Sequence, residues 1–252
     1  MSGTHLPCPA HAAPDAPTHR LNAAPCMPAR ALADFMMATE TARRTLVRDC
    51  KYPPLGRLMQ HAEARAAIGG FLLSETRDPA RLVSVAAMLR AREGASDFMA
   101  AVWAHNAAYI ERFAALWPAM AWPAAEATPG GATDFRLNGV RITLDLAVRL
   151  GRIGRGNRRR TGAAMLRYAS GRALPAEVAA WQSALLLGIL RGTPAADAEP
   201  DPGLCLTVDG WTGVVHAAPS DTVRRGGHLA AACASIAERW DAVQPPAGAV
   251  VG

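Results

Sequence analysis

Ten arginines fall between Gly131 and Ala176, at positions 136, 141, 149, 152, 155, 158, 159, 160, 167 and 172, against only Asp134 and Asp145. That segment carries +8 while the whole chain carries +6, so the remainder is slightly acidic and the positive field is local. A concentrated basic patch draws polyanions and steers their encounter. Arg149, Arg152, Arg155, Arg158, Arg159, Arg160 and Arg172 are therefore the candidate nucleic-acid-binding residues. The competing account is a solvated loop whose arginines cap carbonyls. Arginine abundance alone carries no function, because only Lys51 among 27 basic residues is a lysine, a bias that genome composition explains.

Other chemical signals are incomplete. Gly151-x-x-Gly154-x-Gly156 joins two expected strands, so it lacks the strand-to-helix setting of a dinucleotide site, and no Gly-Lys-Ser/Thr forms a Walker loop. Its glycines suit a loop that lets arginines adapt to a phosphate backbone. His61, near Glu63 and Arg65, lacks HExxH spacing, and His105 beside Trp103, Asn106 and Tyr109 suits a partly buried, hydrogen-bonded ring. Asp209 and His216 flank one hairpin, where turn capping accounts for the aspartate. The five cysteines (8, 26, 50, 205, 233) form no CxxC pair and are odd in number, as expected of a reduced cytoplasmic protein, and Cys205 reads as packing. Arg44, Arg48 and Lys51 line up as a cationic helix stripe that could add phosphate contacts.

The elements that must hold these residues follow from pattern. Asn138-Gly139 is a hairpin signal of type I′, and Val140, Ile142, Leu144 and Leu146 alternate after it as a half-buried strand. That strand extends to about Leu150, and a third occupies Gly162 to Tyr168. Pro175 starts a helix ending near Gly192; Leu204, Leu206 and Val208 form a strand; Asp209 to Gly213 turn into Val214–His216; a last helix spans Asp221 to Trp240. Upstream, helices are expected from Ala31 to Cys50, Leu55 to Leu73, Ala80 to Arg92, and from a Ser96 or Asp97 cap to Trp117. Two Trp-Pro pairs and Ala-Thr-Pro-Gly-Gly suggest a linker at 119–133. The first thirty residues, with six prolines, seven alanines and three histidines, hold no apolar run long enough for a signal peptide or membrane span, and are expected to lack fixed structure because they cannot offset their ordering entropy. Met27 is a second candidate start.

Helix, three strands, helix, strand is the order found in the PD-(D/E)XK nuclease-like core, which Ser96 to His216 resembles in element order. The resemblance implies that Asp145, toward the end of the second strand, occupies the place of the metal-binding aspartate. The family's third strand normally carries Glu-x-Lys, whose carboxylate helps hold Mg²⁺. Here that strand reads Gly-Ala-Ala-Met-Leu-Arg-Tyr, without acid or lysine. Arg167 as the cation and Glu177 as a displaced carboxylate are the residues that would complete a catalytic set with Asp145; arginine is a poor stand-in for lysine. The bland account of Asp145 is an exposed acid paired with a neighbouring arginine. No cofactor is expected, save Mg²⁺ if the site is catalytic.

The chain is thus expected to be an α+β protein: a tail without fixed structure (1–29), a helical region (30–118), the linker, a nuclease-like core with a mixed sheet and flanking helices (134–243), and a short tail (244–252). The favoured function is sequence-independent nucleic-acid binding, DNA or RNA, on a catalytically degenerate core. A scaffold subunit docking a protein partner through the N-terminal helices, and a divalent-metal-dependent nuclease, are the alternatives.

Overall fold

A computed structural model describes residues 17–55, 61–93, 96–193 and 197–251. The protein is α+β: helices cover both faces of a mixed six-stranded sheet. In chain order the elements are β1 (Cys26–Pro28), α1 (Ala29–Met37), α2 (Glu40–Lys51), α3 (Ala62–Leu73), α4 (Pro79–Arg90), α5 (Asp97–Leu116), β2 (Glu126–Leu137), β3 (Val140–Ile153), β4 (Arg159–Arg167), α6 (Ala176–Gly192), β5 (Ala198–Asp209), β6 (Val215–Ala217) and α7 (Thr222–Arg239).

β3 is the spine. β2 runs antiparallel along one of its edges, while the other edge is shared, with β1 parallel to Arg141–Thr143 and β4 antiparallel to Val148–Ile153. β4 then pairs parallel to β5 through the α6 crossover, and β6 returns antiparallel. Period-two alternation sends Ala163, Met165 and Cys205 into a core beneath α1, α6 and α7, and Ala164, Leu204 and Leu206 into a second core beneath α3, α4 and α5. Each fully buried Leu or Ile in these layers contributes about 1.5–3 kcal/mol. The N-terminal helices therefore share a core with the sheet.

One irregularity shapes the sheet. Val140, Ile142, Leu144 and Leu146 join the first core, yet Val148 and Leu150, at the same parity, join the second. Strict alternation would keep all six on one side, so the ladder rotates between Leu146 and Val148. Gly130 and Gly131 of β2 lie opposite: Gly131 has φ +111°, and a Cβ on Gly130 would sit on the Leu146 carbonyl. Only glycine allows so close a backbone approach.

Several expectations change. The helix expected over Ala31–Cys50 is two helices, because Thr39 has extended backbone and its hydroxyl accepts from Ala42 N, starting α2 afresh. The start of the helix expected at Leu55 falls on residues 56–60, outside those described; α3 is seen from Ala62. Ser96 and Asp78 cap α5 and α4 as side-chain acceptors. Residues 126–133 of the expected linker belong to β2, while Trp117 packs on Phe71 and Phe113 and lies 5.7 Å from Trp122. Of the segment expected to lack structure up to residue 29, residues 1–16 lie outside those described; from Thr18 on its backbone bonds to Pro53 and Val250, and Met27 is fully buried in β1. The same bonds tie down the C-terminal tail. No helix of the described residues is long and apolar enough to cross a membrane.

Lys51 also departs from expectation. It is buried rather than part of a wet stripe, and its ammonium donates to the carbonyls of Trp240 (2.8 Å), Asp241 (3.2 Å) and Val243 (3.1 Å). A cation placed on the C-cap carbonyl of α7 and on two carbonyls of the segment after it satisfies acceptors that the helix leaves open.

Candidate nucleic-acid interface

The arginine-rich loop is the tip of the long β3–β4 hairpin. Its ladder runs to Ile153↔Arg159, and Gly154 N donates to Arg158 O at 2.8 Å across the mouth of the turn. The reversal passes through Gly156 (φ +69°) and Asn157 (φ +57°), residue types that tolerate the left-handed region. Gly162 then lets β4 lie hard against Leu204, where a Cβ would meet backbone, and the β4–β5 register shifts there.

The seven candidate arginines divide into two groups. Arg152 pairs with Asp201 (2.6 Å), Arg159 with Asp197 (2.9 Å) and Arg160 with Glu199 (2.7 Å), the acids coming from the residue before β5 and from the start of β5 alongside β4. The side chains of Arg149, Arg155, Arg158 and Arg172 make no hydrogen bond or ion pair among the described residues. Three of the six arginines at the hairpin end are thus matched by carboxylates while Arg149, Arg155 and Arg158 are not; Arg172 lies beyond the far end of β4, away from the tip, so it does not join this patch as was expected of it. Such surface pairs contribute about 0–1 kcal/mol each, so a phosphate competes readily with the carboxylates.

The three residues that would complete a nuclease set are engaged in three different ion pairs. Asp145 is exposed on β3 and contacts Arg65 of α3 at 2.6 Å. Arg167 of β4 is largely buried; it holds Asp34 of α1 through two contacts (2.8 and 3.0 Å) and also donates to Gln182 Oε1 and Arg30 O. Glu177, in the first turn of α6, meets Arg225 at 3.0 Å; Arg225 also binds Asp221 and lies over the Trp181 ring. Mg²⁺ does not fit this arrangement, since Asp145 offers one carboxylate already matched to a guanidinium, and Mg²⁺ requires oxygen ligands at near-octahedral geometry. Among the described residues no three His, Cys, Asp or Glu side chains cluster as a metal site.

Asp209 is the turn cap that its position suggests. Burial opposes its ionisation, but Leu174 N, Trp211 N and the Thr212 hydroxyl all donate to it and hold its pKa below the usual carboxylate value. His216 lies opposite Thr207 in the ladder, and its Nε2 is buried without a hydrogen-bond partner. Burial pushes the thiols of Cys50, Cys205 and Cys233 up to about 12, so none supplies a thiolate near neutrality.

One cluster was not anticipated. His61 stacks on Tyr168 (5.1 Å between ring centroids) and meets His105 and Tyr109 (both 5.2 Å), while Tyr109 reaches Trp211 (6.3 Å). His61 Nδ1 and the Tyr168 hydroxyl are buried without partners. Burial first, then His105, Arg30 and Arg65, push His61 down to about 4, and burial raises the Tyr168 phenol. His105 is exposed and held by ring contacts, not by the burial and hydrogen bonding expected of it. His105 and Tyr109 share a helix face at i, i+4, a signal visible in sequence; the approach of Tyr168 from the end of β4 is not.

No protein-family model matches this chain, and no curated protein matches it.

Proposed function

We propose that this chain binds nucleic acid through its phosphate backbone, using the β3–β4 hairpin on a nuclease-like core that does not cleave. The observation that carries the reading is the hairpin tip, where Arg155 and Arg158 stand without acidic partners among the described residues, with Arg149 below them on β3. The order α5, β2, β3, β4, α6, β5 matches the helix, three strands, helix, strand of the PD-(D/E)XK core and supports the comparison. Cleavage is left out of the proposal because Arg167 and Glu177 serve ion pairs that fasten α1 to β4 and α7 to α6.

Phosphate contacts position a protein without reading bases, so binding should be strongly salt-dependent and indifferent to sequence. Fluorescence anisotropy of labelled single- and double-stranded DNA and RNA, titrated at low and physiological salt, tests this. Replacing Arg149, Arg155 and Arg158 together by alanine should weaken duplex DNA binding more than tenfold and flatten the slope of log affinity against log salt by about 2.7, close to 0.9 per lost contact. Absence of binding at low salt, or a triple variant with the parent affinity and slope, would overturn the proposal. Retained complex formation with a protein partner in that case would favour the scaffold account.

A further inference from the structure

A cavity of about 430 Å³ lies between α1, α2, α7 and the segment that follows α7. Its volume falls in the range of about 300–1,000 Å³ typical of small-molecule sites. The apolar part of its lining comes from Phe35, Val47, Ile236 and Val243, all continuous with the first core. The rim is different: Arg43, Arg44, Arg48 and Arg239 face one carboxylate, Glu40.

The arginines are unequally satisfied. Arg43 is fixed by donating to Phe35 O (3.0 Å) and Met36 O (3.3 Å), with its guanidinium 5.1 Å from the Phe35 ring centre. Arg44 and Arg239 share Glu40 at 3.4 and 3.9 Å, so two cations divide one anion. Arg48 has a buried Nε that makes no hydrogen bond; the nearest carboxylate oxygen, on the adjacent Asp49, is 4.0 Å away. A buried N–H without an acceptor is costly, and an anionic oxygen entering the cavity would supply the acceptor.

We propose that this cavity binds an amphipathic anion, an apolar chain or ring bearing a single carboxylate or phosphate head. The head would lie against Arg48 and the Arg44–Arg239 pair, displacing or sharing Glu40, with the body on Phe35, Val47 and Ile236. A bare polyanion does not suit the site, because its apolar lining would stay wet; a neutral hydrocarbon leaves the buried Arg48 Nε–H without an acceptor. The proposal is independent of the hairpin.

Isothermal titration of the full chain with dodecanoate below its micellar concentration tests it, with dodecyltrimethylammonium and inorganic phosphate as controls. Expected are one dodecanoate per chain, at least tenfold weaker binding of the cationic analogue and of phosphate alone, and at least tenfold loss in Arg48→Gln. The double variant Arg44→Ala/Arg239→Ala should also lose several-fold; both side chains are more than 70% exposed, so its fold should be unaffected and it carries the test if Arg48→Gln melts early. Failure of dodecanoate to bind, equal binding of the two amphiphiles, or parent affinity in a folded double variant would each overturn the proposal.

Discussion

Single side chains in this protein are distinguished less by type than by whether their charge is matched. Arg167 and Asp145 were both legible as candidates, but Arg167 is a structural tie. Asp34→Ala would leave its largely buried guanidinium short of its anion and should cost about 2–3 kcal/mol, whereas Asp145→Ala, at an exposed pair, should cost under about 1 kcal/mol. Urea unfolding of the two variants checks the ranking; equal losses would refute it. The Asp34–Arg167 contact spans 133 residues, a separation no local pattern encodes. His61 gives a pH effect of definite sign. Its pKa near 4 when folded lies below the ordinary 6.5, so between these values the unfolded chain takes up the proton and the folded one does not. Its contribution is therefore complete above about pH 6.5 and lost as pH falls toward 4, by about 1–2 kcal/mol after allowing for solvent at a partly exposed ring. Thermal melts at pH 7.5 and 4.5 should show a smaller drop in His61→Phe than in the parent; parallel drops would remove His61 from the account.

At the scale of elements, period two and turn chemistry were legible wherever the strand was ordinary. The Asn138-Gly139 hairpin forms as its dipeptide dictates, both residues at positive φ, and Asn138 further donates to Ala230 O of α7. The beginning of β2 was illegible because Pro129-Gly130-Gly131, a breaker by composition, serves the rotation of the β2–β3 ladder. Gly130→Ala places a methyl on the Leu146 carbonyl, and should destabilise by more than about 3 kcal/mol, well beyond the ~1 kcal/mol ordinary for a Gly–Ala exchange. Chemical denaturation against Gly70→Ala, whose added Cβ would meet nothing within 4 Å, is the comparison; similar stabilities would mean the ladder adapts. The break at Thr39 was likewise hidden, since apolar spacing runs on through Phe35, Met36, Leu46 and Val47 while one hydroxyl restarts the helix.

For the molecule as a whole, helices and sheet form one three-layer body, closed where the first and last described segments meet. Trp240 Nε1 donates to Asn22 O, Thr18 N and His19 N donate to Val250 O, and Lys51 spans from α2 to the end of α7. The class of fold was readable from the order of elements, but this closure was not, because proline- and alanine-rich ends give no periodic signal. Lys51, the chain's one lysine, is 7% exposed, so the folded protein presents almost no side-chain amine to solvent. Amine acylation followed by peptide mass mapping thereby becomes a clock for the opening of the α2–α7 seam. Modification at Lys51 should proceed no faster than that seam opens and should accelerate in Asn22→Ala or Trp240→Phe, while rapid labelling of the native chain would mean that the ammonium is not held where it lies.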